Sequence, residues 1–188
     1  MHPQLQVIID ELAEVDLRLL KLVDTVPAER WTDRPQPQSW SVAECLAHLN
    51  LTSEAFVPRL RDALEEGRSL GLPAPEAHRH DVLGGFLWRN MGPPVRVKVR
   101  APADFVPGST APAKELVAEF QRLQAENVAC VVAADGLPLS RLRMPSPFAK
   151  RVKYSAYSAL CILPRHQHRH LWQAEQVWAQ LAGGAAVA

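Results

Sequence analysis

The stretch SAYSALCILPRHQHRHLWQAEQVWAQL, residues 155–181, decides how this chain folds. Within it Ala159, Leu163, His166, His170, Val177 and Leu181 recur at steps of three, four and seven. That is the period of an amphipathic helix with one stripe turned to a core. Two members of the stripe are imidazoles. A solvated basic face would not coincide with the apolar seam, and burying an unpaired polar ring costs about 1–3 kcal/mol. Residues four apart stand one helical turn apart, with about 6 Å between β-carbons. His166 and His170 therefore have the spacing at which two imidazoles hold one metal ion. Between them lie Gln167, His168 and Arg169, without the glutamate of a helical HExxH motif, so the pair brings no general base. His168 falls about 200° around the helix from His166 and faces elsewhere.

Three more helices are legible upstream of this one. From Pro3 to Val26, Leu5, Ile8, Leu12, Val15, Leu19 and Leu22 form a second apolar stripe, closed by Pro27. A helix over about 40–66 starts at Ser41, with Glu44 three residues on as in a capping box. Pro58 predicts a kink in it and Gly67 its end. A third runs from about 111 to 134, with Thr110 as N-cap, Pro112 in the first turn and Gly136 as the stop. Gly183 and Gly184 close the last helix. Residues 68–108 read as a long irregular segment, with a helical turn or two at 82–91. Val95, Val97 and Val99 alternate there with Arg96, Lys98 and Arg100, the period of an extended piece with one basic face. Residues 137–153 read as a connector. The pattern predicts one all-α domain over residues 1–188, a four-helix bundle with the irregular segment between its second and third helices.

Composition sets the boundaries of function. Lys and Arg number 21 against 20 Asp and Glu, a net charge of +1, which argues against nucleic-acid binding by bulk charge. No apolar run approaches the 18–20 or so residues of a membrane span, and residues 1–16 do not read as a secretory leader. Cys45, Cys130 and Cys161 form no disulfide framework and no CxxC pair, which predicts a cytoplasmic protein. The 16 prolines fall mostly in linkers and at helix starts.

Of the 7 histidines, His48 joins the argument. It lies two turns into the second helix, beside Cys45 and on one face with Thr52 and Ala55. Three histidines from two helices make a facial three-nitrogen site, which leaves positions open for water, as catalytic metal centres do. Cys45 would add a thiolate, although a small core residue is its simpler role. Glu44 and Gln173 are available to hydrogen-bond the ligands, yet a cap explains Glu44 and a surface position explains Gln173. Trp172 and Trp178 read as packing residues, and Tyr154 and Tyr157 as candidates to line a pocket. His2, His78, His80 and His168 carry no argument.

Two segments together resemble a known family. Trp40-Ser-Val-Ala-Glu-Cys-Leu-Ala-His48-Leu is similar to the second-helix signature of the DinB-like superfamily, which includes YfiT-type proteins classed as metal-dependent hydrolases. His166-Gln-His-Arg-His170-Leu-Trp-Gln173 is similar to its last-helix motif. The resemblance covers nearly the whole chain. It implies an up-down-down-up four-helix bundle and a divalent metal, zinc or nickel, on His48, His166 and His170. His168 matches no ligand position. It also implies a small-molecule substrate, with thiol S-transferases and isomerases using low-molecular-weight thiols among the relatives. Catalytic residues beyond the metal site are not identified. Basic groups that would receive such a thiol are Arg96, Lys98 and Arg100, or Arg141, Arg143, Lys150, Arg151 and Lys153, whose simplest role is solvated surface. A non-catalytic metal-binding or interaction bundle is the alternative. Trp31, Trp88 and the run 84–91 are the expected patch for a homodimer.

Overall fold

The computed structural model describes residues 1–93, 100–108, 111–149 and 151–185. It is mostly helical: α1 (Pro3–Thr25), α2 (Val42–Ser69), α3 (Val82–Met91), α4 (Ala113–Ala133) and α5 (Ala156–Ala185), with short strands β1 (Arg143–Pro145) and β2 (Lys153–Ser155). Single 3-10 turns stand at Ala28–Arg30 and Ala103–Phe105. α1 and α2 each pack against α4 and α5, while α3 lies on α5.

The six apolar residues of the α1 stripe are all buried. With facing residues of α2, α4 and α5 they build two apolar clusters. One holds Leu5, Ile8, Leu12, Phe56, Leu60, Val131 and Leu163. The other holds Val15, Leu19, Leu22, Leu46, Leu49, Phe120, Leu171 and Val177. Each buried leucine or phenylalanine stabilises by about 1.5–3 kcal/mol through the apolar area it removes from water. Along three helices the residues separating the clusters are polar and buried: Asn50, Thr52 and Ser53 on α2, Gln124 and Asn127 on α4, His166, Gln167 and His170 on α5. Gln124 is the junction of this layer. Its Nε2 donates to the Leu12 carbonyl on α1 at 3.1 Å. Its Oε1 accepts from Gln167 Nε2 at 2.8 Å and Asn127 Nδ2 at 3.4 Å.

Several boundaries differ from the sequence expectation. Gly67 does not end α2; it is buried inside the helix, where an added Cβ would stand 2.6 Å from Leu142 Cδ1. The chain turns instead at Gly71, whose φ of +61° only glycine adopts readily. As expected, α2 runs on through Pro58 and α5 through Pro164. Gly183 and Gly184 lie inside α5 rather than closing it. Pro112 occupies the N-cap position of α4, one place before the first turn, while Thr110 falls outside the described residues. The alternating 95–99 piece also falls outside them.

Two elements exceed the sequence expectation. The expected turn at 82–91 is a ten-residue helix, and a Cβ at its Gly84 would collide with Ser158, so the glycine lets α3 lie directly on α5. The 137–153 connector holds an antiparallel hairpin in which Met144 faces Tyr154 and both are buried. Tyr154 is therefore core, not pocket lining. Trp31 is core as well, 2% exposed with its indole N–H on the Val26 carbonyl at 3.1 Å. It cannot belong to an exposed dimer patch. Among the described residues no helix is long and apolar enough to cross a membrane.

Candidate metal centre

The three histidines singled out from sequence meet in the polar layer. His48 comes from α2, His166 and His170 from successive turns of α5, and they are 2%, 6% and 9% exposed. One ring nitrogen from each lies within 4.8 Å of the others, a group that could hold a metal ion. Ring centroids are 4.4 Å apart for His48 and His170, 4.6 Å for His166 and His170 and 5.2 Å for His48 and His166.

Hydrogen bonds fix which nitrogens face inward. His48 Nδ1 donates to the Phe105 carbonyl at 2.7 Å, so its Nε2 carries the lone pair. That Nε2 is 3.4 Å from His166 Nε2. His170 Nδ1 donates to Gln173 Oε1 at 3.1 Å, again leaving Nε2 as the free base. Fixing the remote nitrogen of a ligand imidazole is the usual way its tautomer and orientation are set. His166 Nδ1 is buried without a partner in the structure.

The rings are held neutral. Burial pushes His166 well below the ordinary imidazole range, and His170, His48 and Arg169 add to it. Burial, then His48 and Arg169, push His170 down to about 3. Burial lowers His48 against the pull of the Phe105 carbonyl. Neutral imidazole is the metal-binding form, and two inward lone pairs facing a third ring with no acid among them suit a cation. The donor set therefore fits the divalent ion that the sequence motifs imply.

The other candidates resolve plainly. Cys45 is not in the group; burial and then Glu44 push its thiol far above the ordinary range, so it is an inert core residue. Glu44 completes the capping box with Ser41 and pairs with Arg34. Gln173, expected on the surface, instead reaches His170. His168 faces away, its Nδ1 3.4 Å from the Arg18 guanidinium. Phe105 and Phe148, with ring centroids 4.8 Å apart, and Trp40, 5.0 Å from the His48 ring, wall the site. Phe105 is a residue sequence reasoning missed, because a carbonyl from a single 3-10 turn leaves no periodic signal.

The arrangement defines a class: a helical protein whose two core helices bring three neutral imidazoles to one point. The sequence profile of the DinB superfamily matches residues 11–174, and the chain belongs to that superfamily. No curated protein and no solved structure gives a significant match.

Proposed function

We propose that this chain is a metal-dependent enzyme acting on a small molecule, with His48, His166 and His170 as ligands to a divalent ion, zinc or nickel. The observation that carries this reading is the convergence of the three neutral rings, two of them oriented by bonds to Phe105 and Gln173. An ion in such a site supplies a Lewis acid that makes a water or a thiol nucleophilic at neutral pH. The protein's own part is to hold Nε2 of His48 and His170 toward the ion and, through Trp40, Phe105 and Phe148, to keep bulk water out. Membership of the superfamily supports a thiol-dependent S-transfer or a hydrolysis as the reaction.

The alternative is a non-catalytic metal-binding or interaction bundle. A structural zinc site closes its shell with four protein ligands. Among the described residues only three ligands gather, and Cys45 stays apart, which favours chemistry. On this reading residues 1–188 form one cytoplasmic domain, an up-down-down-up bundle in which α1 and α2 both face α4 and α5. A homodimer would use the outer face of α3, where Val82 and Phe86 are 95% and 63% exposed. Sedimentation of a monomer at micromolar concentration removes that part.

The test is a titration of tag-free, chelator-stripped protein with zinc and with nickel, followed by calorimetry. One tight site per chain is expected. Uptake no stronger than that of a histidine-poor control protein removes the proposal.

A further inference from the structure

We infer that one buried water joins His166 Nδ1 to Asn127 Oδ1 and Gln167 Oε1, and that these two amides are positioning residues that select the metal-holding tautomer of His166; the inference rests on the three-histidine reading above. Two of the three rings have their remote nitrogen fixed by the protein, His48 by the Phe105 carbonyl and His170 by Gln173. The third does not. His166 is buried, its Nε2 stands 3.4 Å from His48 Nε2, and its Nδ1 has no protein partner. A ligand imidazole almost always has that remote nitrogen bonded.

The polar layer supplies acceptors, and the Leu12 carbonyl sets their direction. A carbonyl only accepts, so Gln124 turns its Nε2 to Leu12 at 3.1 Å and its Oε1 the other way. That oxygen fixes its neighbours in turn: Gln167 donates Nε2 to it at 2.8 Å and Asn127 donates Nδ2 at 3.4 Å. Both amides must then aim their own oxygens elsewhere. Gln167 Oε1 and Asn127 Oδ1 are buried and accept no bond from the protein. Both residues belong to the layer that holds His166. Gln167 follows it on α5, and Asn127 also donates to Ser53 Oγ at 3.3 Å, little more than one turn past His48 on α2.

One water satisfies all three atoms. An imidazole that holds a metal ion on Nε2 carries its proton on Nδ1 and is a donor there. The water accepts from that N–H and donates to the two amide oxygens, and three bonds are typical of a buried water. In the opposite tautomer Nδ1 is itself an acceptor. Three acceptors then compete for two water protons, and one buried polar atom stays unpaired, which is costly. The layer thus favours the tautomer whose Nε2 lone pair is free.

The experiment pairs a crystal structure of the zinc-loaded full chain with zinc competition and ring-nitrogen NMR of full-length variants. Wild type should show an ordered water within about 3.2 Å of all three atoms, and His166 protonated on Nδ1. Asn127→Leu and Gln167→Met each remove one acceptor. Each should lower zinc affinity about tenfold and move the His166 ring signals, while those of His48 and His170 stay in place. Asn50→Leu is the control, because Asn50 is buried in the same layer but lies about 200° around α2 from His48. It should change zinc affinity less than about twofold, whatever it costs in urea unfolding. A zinc-loaded structure without a water on His166 Nδ1 overturns the inference and leaves the metal reading intact. So does an equal affinity loss in Asn50→Leu, or none in Asn127→Leu and Gln167→Met. Wild-type protein that takes up no zinc also overturns it, and uptake of neither zinc nor nickel overturns the metal reading as well.

Discussion

Among the described residues of this chain two clusters of three histidines form, and only in one of them could the ring nitrogens hold a metal ion together. In the first, His48, His166 and His170 turn ring nitrogens toward a common point. In the second, His2, His78 and His80 gather around Tyr157, with ring centroids of 4.7 Å for His2 and His78, 5.3 Å for His78 and Tyr157 and 5.0 Å for His80 and Tyr157. Yet the nitrogens of His2 and His80 serve the fold. His2 Nδ1 accepts from the Gln4 amide, capping α1, and its Nε2 donates to the Glu76 carbonyl. His80 Nδ1 donates to Ser158 Oγ at 3.1 Å. His78 is 3% exposed and stacks on Tyr157 with both nitrogens unpartnered. Proximity of imidazoles is thus not enough. The direction of the lone pairs separates a ligand set from a packing cluster.

The comparison is broken most directly by emptying each cluster in turn. His166→Ala/His170→Ala should drop bound metal from about one ion per chain to below about a tenth, since a lone imidazole cannot retain a divalent ion. His78→Ala/His80→Ala should keep it. Elemental analysis of tag-free protein decides, and equal metal in the two double variants would erase the distinction.

A second contrast concerns stability. Asp81 underpins the histidine-and-tyrosine cluster: it accepts from the Ser155 amide at 3.0 Å and Ser158 Oγ at 3.1 Å, and pairs with Arg143 at 2.8 Å. These bonds tie α3 and β1 to the start of α5. Asp81→Ala leaves the Ser155 amide and Ser158 hydroxyl without that acceptor, and should cost about 2–4 kcal/mol in urea unfolding. Exposed Arg143 contributes only a minor share. Burial raises the Asp81 carboxyl, but the Ser155, Arg143 and Ser158 bonds outweigh it and hold it below its ordinary 3.8. Its contribution is therefore complete above about pH 4 and disappears as pH falls through the lowered folded value. A wild-type acid limb identical to that of Asp81→Ala would refute this.

The two clusters were unequally legible in the sequence, for a physical reason. His166 and His170 share a helical stripe, and His48 carries a motif, so periodicity and resemblance together reached the first. The second depends on His2 at a helix cap and His78 and His80 in a turn, brought together by contacts more than 70 residues apart in sequence, such as Gln4 with His78. No local pattern encodes such a meeting. The same holds for the hairpin, whose three-residue strands are too short to show a period, and for Gly67, whose packing against Leu142 is visible only in three dimensions. The four long helices were readable because each repeats its stripe over several turns.

Gln173 sharpens the first cluster further. It orients His170 without touching the inward nitrogen. Gln173→Ala should lower metal affinity about tenfold, the usual cost of losing such a support, while His48, His166 and His170 stay in place. Competition against a chromophoric chelator measures it. An unchanged affinity would mean that packing alone, chiefly against Trp40, aligns the ring.

The smallest effect should come from the least explained histidine. His78 is anchored by its backbone, its N–H on Gln4 Oε1 at 2.7 Å and its carbonyl on Gln4 Nε2 at 3.1 Å, so the ring itself bears no hydrogen bond. Burial, then the neighbouring His2, lower its pKa against the opposing pull of Asp135. The folded chain thus binds this proton less readily than the unfolded chain does. Stability from neutral His78 is present above about pH 6.5 and declines as pH falls toward the lowered folded value. His78→Phe keeps a ring against Tyr157 and removes two buried polar atoms that lack partners. Such a replacement is expected to be neutral or to stabilise by up to about 1 kcal/mol at pH 7. It should also flatten the loss of stability between pH 7 and 5, measured by urea unfolding at each pH. A loss above about 1 kcal/mol at pH 7 would show that the ring nitrogens have a partner after all, such as a buried water.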